Sequence, residues 1–88
     1  RSNVMKLELY QQVALLRDVP QHRLKKGDVA TLVDYTPHPS GGEDGYVLEV
    51  FNAVGQSLAV IAVPMSAVDP LRADEVLSVR SLEGAGVI

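Results

Sequence analysis

Apolar and polar residues along this chain alternate at period two in several short runs, separated by clusters of Gly, Pro, Ser and Asp. Such runs, enriched in β-branched side chains, predict strands joined by turns. "QQVALLRD" at 11–18 predicts a first strand that stops ahead of Pro20, and "VPQHRLKKGD" a loop or short diverging turn. Gly27 accepts positive φ and Asp28 hydrogen-bonds nearby amides, so the pair turns the chain into a second strand, "VATLVDY". There Val29, Thr31, Val33 and Tyr35 are expected on one face, and Ala30, Leu32 and Asp34 on the other. "TPHPSGGEDG" cannot continue a sheet, because its prolines lack donors and its glycines free the backbone. It predicts the long tip of a hairpin. "YVLEVF" follows as a third strand, with Tyr46, Leu48 and Val50 opposite Val47, Glu49 and Phe51; a tight turn at 52–55 then leads into a fourth, "QSLAVIAVP".

"PMSAVDPL" is too short for a helix and is bounded by prolines, which suits one 3₁₀ turn. "EVLSVRSL" at 75–82 predicts the last strand. The order β-loop-β-β-β-3₁₀-β describes an all-β domain, a small five-stranded SH3-like barrel with a 3₁₀ turn before the last strand. An oligonucleotide-binding barrel would place a helix between its third and fourth strands, and "NAVGQS" leaves no room for one. Leu24 is expected to plug the barrel floor. The barrel is assigned to residues 5–83, with 1–4 read as a remnant ahead of Met5 and 84–88 as a frayed tail.

Eighty-eight residues supply one core, and with no cysteine neither a disulfide nor a thiolate metal site reinforces it. No apolar run approaches a membrane span, and the start of the chain lacks the pattern of a signal peptide, so a cytoplasmic location is expected. The net charge of −3 disfavours a general nucleic-acid binder. Four aromatic rings, Tyr10, Tyr35, Tyr46 and Phe51, give little material for stacking platforms.

Taken together, "VALLRDVPQHRLKKGDVATLVDY", "GYVLEVFNAVGQSLAVIAVPMSAVDPL" and "EVLSVR" resemble the bacterial domain-of-unknown-function family 4926. Members are similar in the pattern V-x-L-x-R-D-x-P-x-x-x-L-x-x-G-D-x-G-T-V-V and in a Tyr-x-x-Glu strand, and the likeness runs over residues 9–82. The resemblance implies the fold and carries no established biochemical activity; association of some members with toxin-like genes implies a cognate-partner or antitoxin-like role. Ala30 stands where the family usually has Gly, Ala53-Val54-Gly55 replaces an Asp-Gly turn, and the 36–45 loop is longer than expected. A looser likeness, through "KKGDVATLVD", is to KOW-type modules of ribosomal and transcription proteins.

Few residues are placed for chemistry. His22 and His38 lie in different loops without metal-ligand spacing, so they read as solvated histidines and no metal or cofactor is expected. None of Ser40, Ser57, Ser66, Ser78 and Ser81 sits on a nucleophile elbow, and Glu43-Asp44 reads as solvated loop charge. The glycines of "SGGEDG" precede no helix that would turn them into a phosphate cradle. No catalytic residue is expected, and an enzyme is not the reading. Arg17, Arg23, Lys25 and Lys26 form the single basic concentration, a candidate patch for nucleic acid or a solvated loop. The fourth strand is apolar on both faces, and a small barrel has one interior. Ala59, Ile61 and Val63 are therefore the candidate protein interface, for a partner or for a homodimer. A non-catalytic protein-interaction module is the expected function, with a KOW-like nucleic-acid module using the basic loop 23–26 as the alternative.

Overall fold

In the computed structural model, which describes residues 7–82, five strands form one antiparallel sheet. They are β1 (Gln12–Leu15), β2 (Val29–Thr36), β3 (Gly45–Phe51), β4 (Ser57–Pro64) and β5 (Val68–Pro70). Two 3₁₀ turns, Pro20–His22 and Met65–Ala67, interrupt the strands, and among the described residues there is no α-helix. The spatial order is β4-β3-β2-β1-β5, so β4 and β5 end the sheet, and among the described residues no pairing joins them. The all-β class and the 3₁₀ turn before the last strand agree with the sequence reading; a closed barrel is not formed by these pairings. No helix among the described residues is long and apolar enough to cross a membrane.

One face of the sheet is buried. Val13 and Leu15 of β1, Ala30 and Leu32 of β2, Tyr46, Leu48 and Val50 of β3, and Ile61 and Val63 of β4 make the core, closed by Leu24, Ala67 and Val68. Period-two alternation explains most of this. On β2 it is broken by a bulge: Leu32 pairs with Leu48, but Asp34 pairs with Val47, leaving one extra residue on β2. Beyond the bulge the alternation changes parity. Tyr35, expected on the face opposite Leu32, instead packs on the core, and its ring lies 5.9 Å from that of Tyr46. The two phenols hold the lead-in segment: the Tyr46 hydroxyl accepts from the Leu7 amide at 3.0 Å, and the Tyr35 hydroxyl donates to the Leu7 carbonyl.

The last strand is not where the sequence pattern put it. Val68–Pro70 pairs with β1, Leu15 opposite Val68 and Val13 opposite Pro70. The 3₁₀ turn needs only Met65–Ala67, and Val68 already has extended backbone and a buried side chain. Residues 75–82 have strand composition but form no strand, and Val76 and Val79 are over 90 % exposed, at 91 % and 92 %. The sheet therefore ends well inside the expected 5–83 domain; the assignments of 1–4 and 84–88 lie outside the described residues.

Gly45 opens β3 where the hairpin tip rejoins the sheet, and it is buried against β4. A Cβ there would lie 2.8 Å from the Val63 carbonyl oxygen and 3.0 Å from the Thr36 methyl carbon. The first contact is with backbone, which cannot swing aside. Gly45→Ala is expected to cost about 1–3 kcal/mol through strand displacement, read as a lower urea midpoint with an unchanged slope.

Candidate functional site

Three regions gather the residues that the sequence marks. The first is β4. Ala59, Ile61 and Val63 do not face a partner: they lie opposite Val50, Leu48 and Tyr46, all core residues of β3. Ile61 and Val63 are buried and Ala59 packs against the core. The candidate interface thus had the wrong parity, because a strand apolar on both faces does not disclose which face its neighbour takes. The open side carries Val60, 58 % exposed, with Ala62, and Leu58 at the nearby bulge is 43 % exposed. Phe51, at the end of β3, is 42 % exposed. Val60 stands opposite Glu49, so this apolar strip has one acidic neighbour.

The second region is the basic loop. Its backbone is fixed by two carboxylates: Asp28 accepts the Lys25 amide at 2.8 Å, and Asp18 accepts the Lys26 amide at 2.9 Å. Gly27 turns at φ 93° and donates to the Leu15 carbonyl at 2.8 Å, which ties the turn to β1. Arg80, from the C-terminal segment, closes the arrangement with a two-pronged guanidinium contact to Asp28, at 2.9 and 2.5 Å, and donates to the Arg23 carbonyl at 2.9 Å. An open groove of about 550 Å³ results, with Pro20, Leu24 and Leu82 as apolar wall and Arg23, Lys25 and Arg80 among its polar lining. Of the four basic residues marked in the sequence, Arg23 and Lys25 meet here. Lys26 is not part of the groove, and Arg17 points elsewhere, donating to the Ser66 hydroxyl at 3.3 Å. Arg80 was missed because its partner lies 52 residues away in sequence.

The Arg80 hydrogen bond holds the Asp28 carboxyl below its ordinary value of 3.8, against the opposing effect of partial burial and with help from the Lys25 amide. A depressed folded value gives stabilisation that is complete above the unfolded value and fades as pH falls through the folded one. The contribution of this pair is therefore present at neutral pH and lost below about pH 4. Arg80→Met should lower the melting temperature at pH 7, and the difference from the parent chain should shrink toward zero on acidification to pH 2. Thermal melts across that range check it; a pH-independent difference would assign the effect to lost packing.

The third region is the hairpin tip, residues 36–45. Its acids are not merely solvated, as the sequence suggested. The Glu43 carboxylate accepts the Ser66 amide at 2.7 Å and the Ser66 hydroxyl at 3.1 Å. Asp44 accepts the His38 amide on its side chain at 3.1 Å and the Met65 amide on its carbonyl at 3.1 Å. His38 Nδ1 in turn accepts the Ser40 amide at 3.1 Å. With Arg17 on Ser66, this clasp joins the tip, the second 3₁₀ turn and the end of β1. Among the described residues no three His, Asp or Glu side chains gather as a metal site.

No curated protein and no solved structure matches the chain. A family model does match, over residues 9–70, an interval that closes with the last residue of β5 and leaves out the 71–82 segment. By that match, which takes in every strand of the sheet, the chain belongs to DUF4926, a domain of unknown function.

Proposed function

We propose that the chain is a non-catalytic protein-interaction module, built as a small SH3-like barrel and working in the cytoplasm on a cognate or antitoxin-like partner. The observation that carries this is the exposed apolar strip of β4, Val60 with Leu58 and Phe51 beside it, on a strand that ends the sheet. A monomer tolerates single exposed apolar side chains, but apolar groups grouped at a sheet edge favour a contact. The sheet order, with β1 between β2 and a last strand that follows a 3₁₀ turn, supports the SH3-like architecture. The non-catalytic part is supported by the carboxylates: Asp18, Asp28, Glu43 and Asp44 each hold backbone amides in place. The test is capture by the tagged chain from its native lysate, with nuclease treatment and with Val60→Lys as control. One protein recovered in proportion, indifferent to nuclease and lost with Val60→Lys, is the expected result. Recovery unaffected by Val60→Lys would remove β4 as the contact.

The groove favours a second reading, since Arg23, Lys25 and Arg80 converge there on a chain that is acidic overall. On that reading the loop binds nucleic acid as a KOW-like module, steeply weakened by salt and abolished by Lys25→Glu with Lys26→Glu. No binding of RNA or duplex DNA at low salt would dispose of it.

A further inference from the structure

Among the described residues the fold leaves two complementary elements apart: a sheet edge without a neighbouring strand and a strand-like segment outside the sheet. The edge is β4. Met65, just beyond it, donates its amide to the Asp44 carbonyl in continuation of the β3–β4 register. Hydrogen-bonded pairs alternate along an antiparallel ladder, so Val63, Ile61 and Ala59 exchange bonds with β3. The amides and carbonyls of Val60 and Ala62 consequently point away from β3, and among the described residues nothing pairs with them. β4 carries no charged residue of the kind that guards an open edge, and Val60 adds an exposed β-branched side chain.

The unpaired segment is 75–82. Its "EVLSVRSL" has the β-branched, apolar-rich composition of a strand, yet Val76, Leu77 and Val79 are largely exposed and no residue of it lies in the sheet. Arg80 fixes its far end to Asp28 at the foot of β2, two strands from β4, so in this arrangement the segment does not lie along its own chain's β4. Pairing of Pro70 with β1 and the contact of Arg80 with Asp28 hold the two ends of the stretch between.

Resting on the interaction-module reading, we infer that the partner is a second copy of this chain, and that residues 76–79 of each copy add as a strand to the β4 edge of the other. Strand addition supplies main-chain hydrogen bonds to Val60 and Ala62 and buries Val60 against Leu77 and Val79, which share one face of the incoming segment. Neither β4 nor residues 76–79 carry a charged residue, and Glu49 beside Val60 is an acidic neighbour of the contact. Reciprocal exchange closes on itself as a symmetric pair.

Analytical ultracentrifugation of the full chain and two variants tests this. The parent chain should sediment at twice its 9.5 kDa mass at sub-millimolar concentration. Val60→Lys, which spoils the acceptor edge, and Ser78→Pro, which removes a donor from the incoming segment, should each weaken association about tenfold or more while keeping the parent's circular dichroism. Amides of Val60 and Ala62 should exchange slowly in the parent chain and rapidly in Ser78→Pro. A dimer that survives Ser78→Pro would mean β4 pairs directly with β4 and would overturn the inference, as would a parent chain that stays at 9.5 kDa. A monomer that still captures another protein through Val60 would overturn the second-copy partner and leave the interaction reading intact; a monomer that captures nothing would sink both.

Discussion

Ile61→Glu is expected to unfold the chain at neutral pH, whereas Val60→Lys, one residue away, should leave its stability within about 1 kcal/mol. Ile61 is 6 % exposed, and its β3 neighbour Leu48 is fully buried. No polar or charged residue is buried among the described residues, so a carboxylate at this position would find neither a donor nor a counter-charge. Removing the isoleucine forfeits roughly 1.5–3 kcal/mol of transfer free energy, and an unpaired buried charge adds several more. A domain of this size has on the order of 5 kcal/mol to lose. The cost should ease on mild acidification, because a buried carboxyl is driven toward its neutral form. Val60→Lys meets the opposite circumstances: the side chain points to solvent and stands across from Glu49, an opposite charge at a cross-strand position. Circular dichroism and urea unfolding of the two variants decide the parity of β4. A folded Ile61→Glu with the parent midpoint would place Ile61 outside the core.

That comparison also marks where sequence patterning stops being informative. On β3, Leu48 and Val50 alternate with Glu49 and Phe51, and one polar residue is enough to fix the face. On β4 "LAVIAV" contains none, so the same argument was indifferent between Val60 and Ile61, and only the register with β3 separates them. Tyr35 was misplaced for another reason: a bulge is a backbone event whose side chains, Val33 and Asp34, look like ordinary alternation. The last strand failed because composition measures fitness for a sheet and says nothing about the presence of a neighbour. "EVLSVRSL" has the composition and lacks the neighbour, whereas Val68–Pro70 has a proline and only three residues but lies beside β1. The candidate site suffered most. Its organising contacts, Arg80 with Asp28 and Glu43 with Ser66, join residues 52 and 23 positions apart. Charge counting sees such groups as surface, since exposed and bridging carboxylates have the same letter.

Leu24 is the opposite case, a loop residue whose role local reasoning did reach. It is a lone apolar position between His22-Arg23 and Lys25-Lys26, and such isolation in a polar turn is a reason to look for burial. The structure buries it to 4 % exposure, beneath the basic loop and within the core. Its backbone is held by a reciprocal bridge to Val19, with amide-to-carbonyl distances of 2.9 and 3.1 Å, and that bridge does not depend on the side chain. Leu24→Ala therefore removes core volume without untying the loop, and the expected cost is about 2–5 kcal/mol, enough to bring the domain near its midpoint under mild conditions. Leu24→Met, which conserves volume, should cost less than about 1.5 kcal/mol. Urea unfolding measures both. The groove predicts a second consequence, because Leu24 forms part of its apolar wall alongside Pro20 and Leu82. With the wall lowered, Arg80, which lines the same groove, is less confined beside Asp28, and the acid-dependent difference between parent and Arg80→Met should narrow in the Leu24→Ala background. If that difference is unchanged while stability falls, the core and the basic loop are energetically separate. If the two effects move together, Leu24 is the residue through which the C-terminal segment and the sheet communicate.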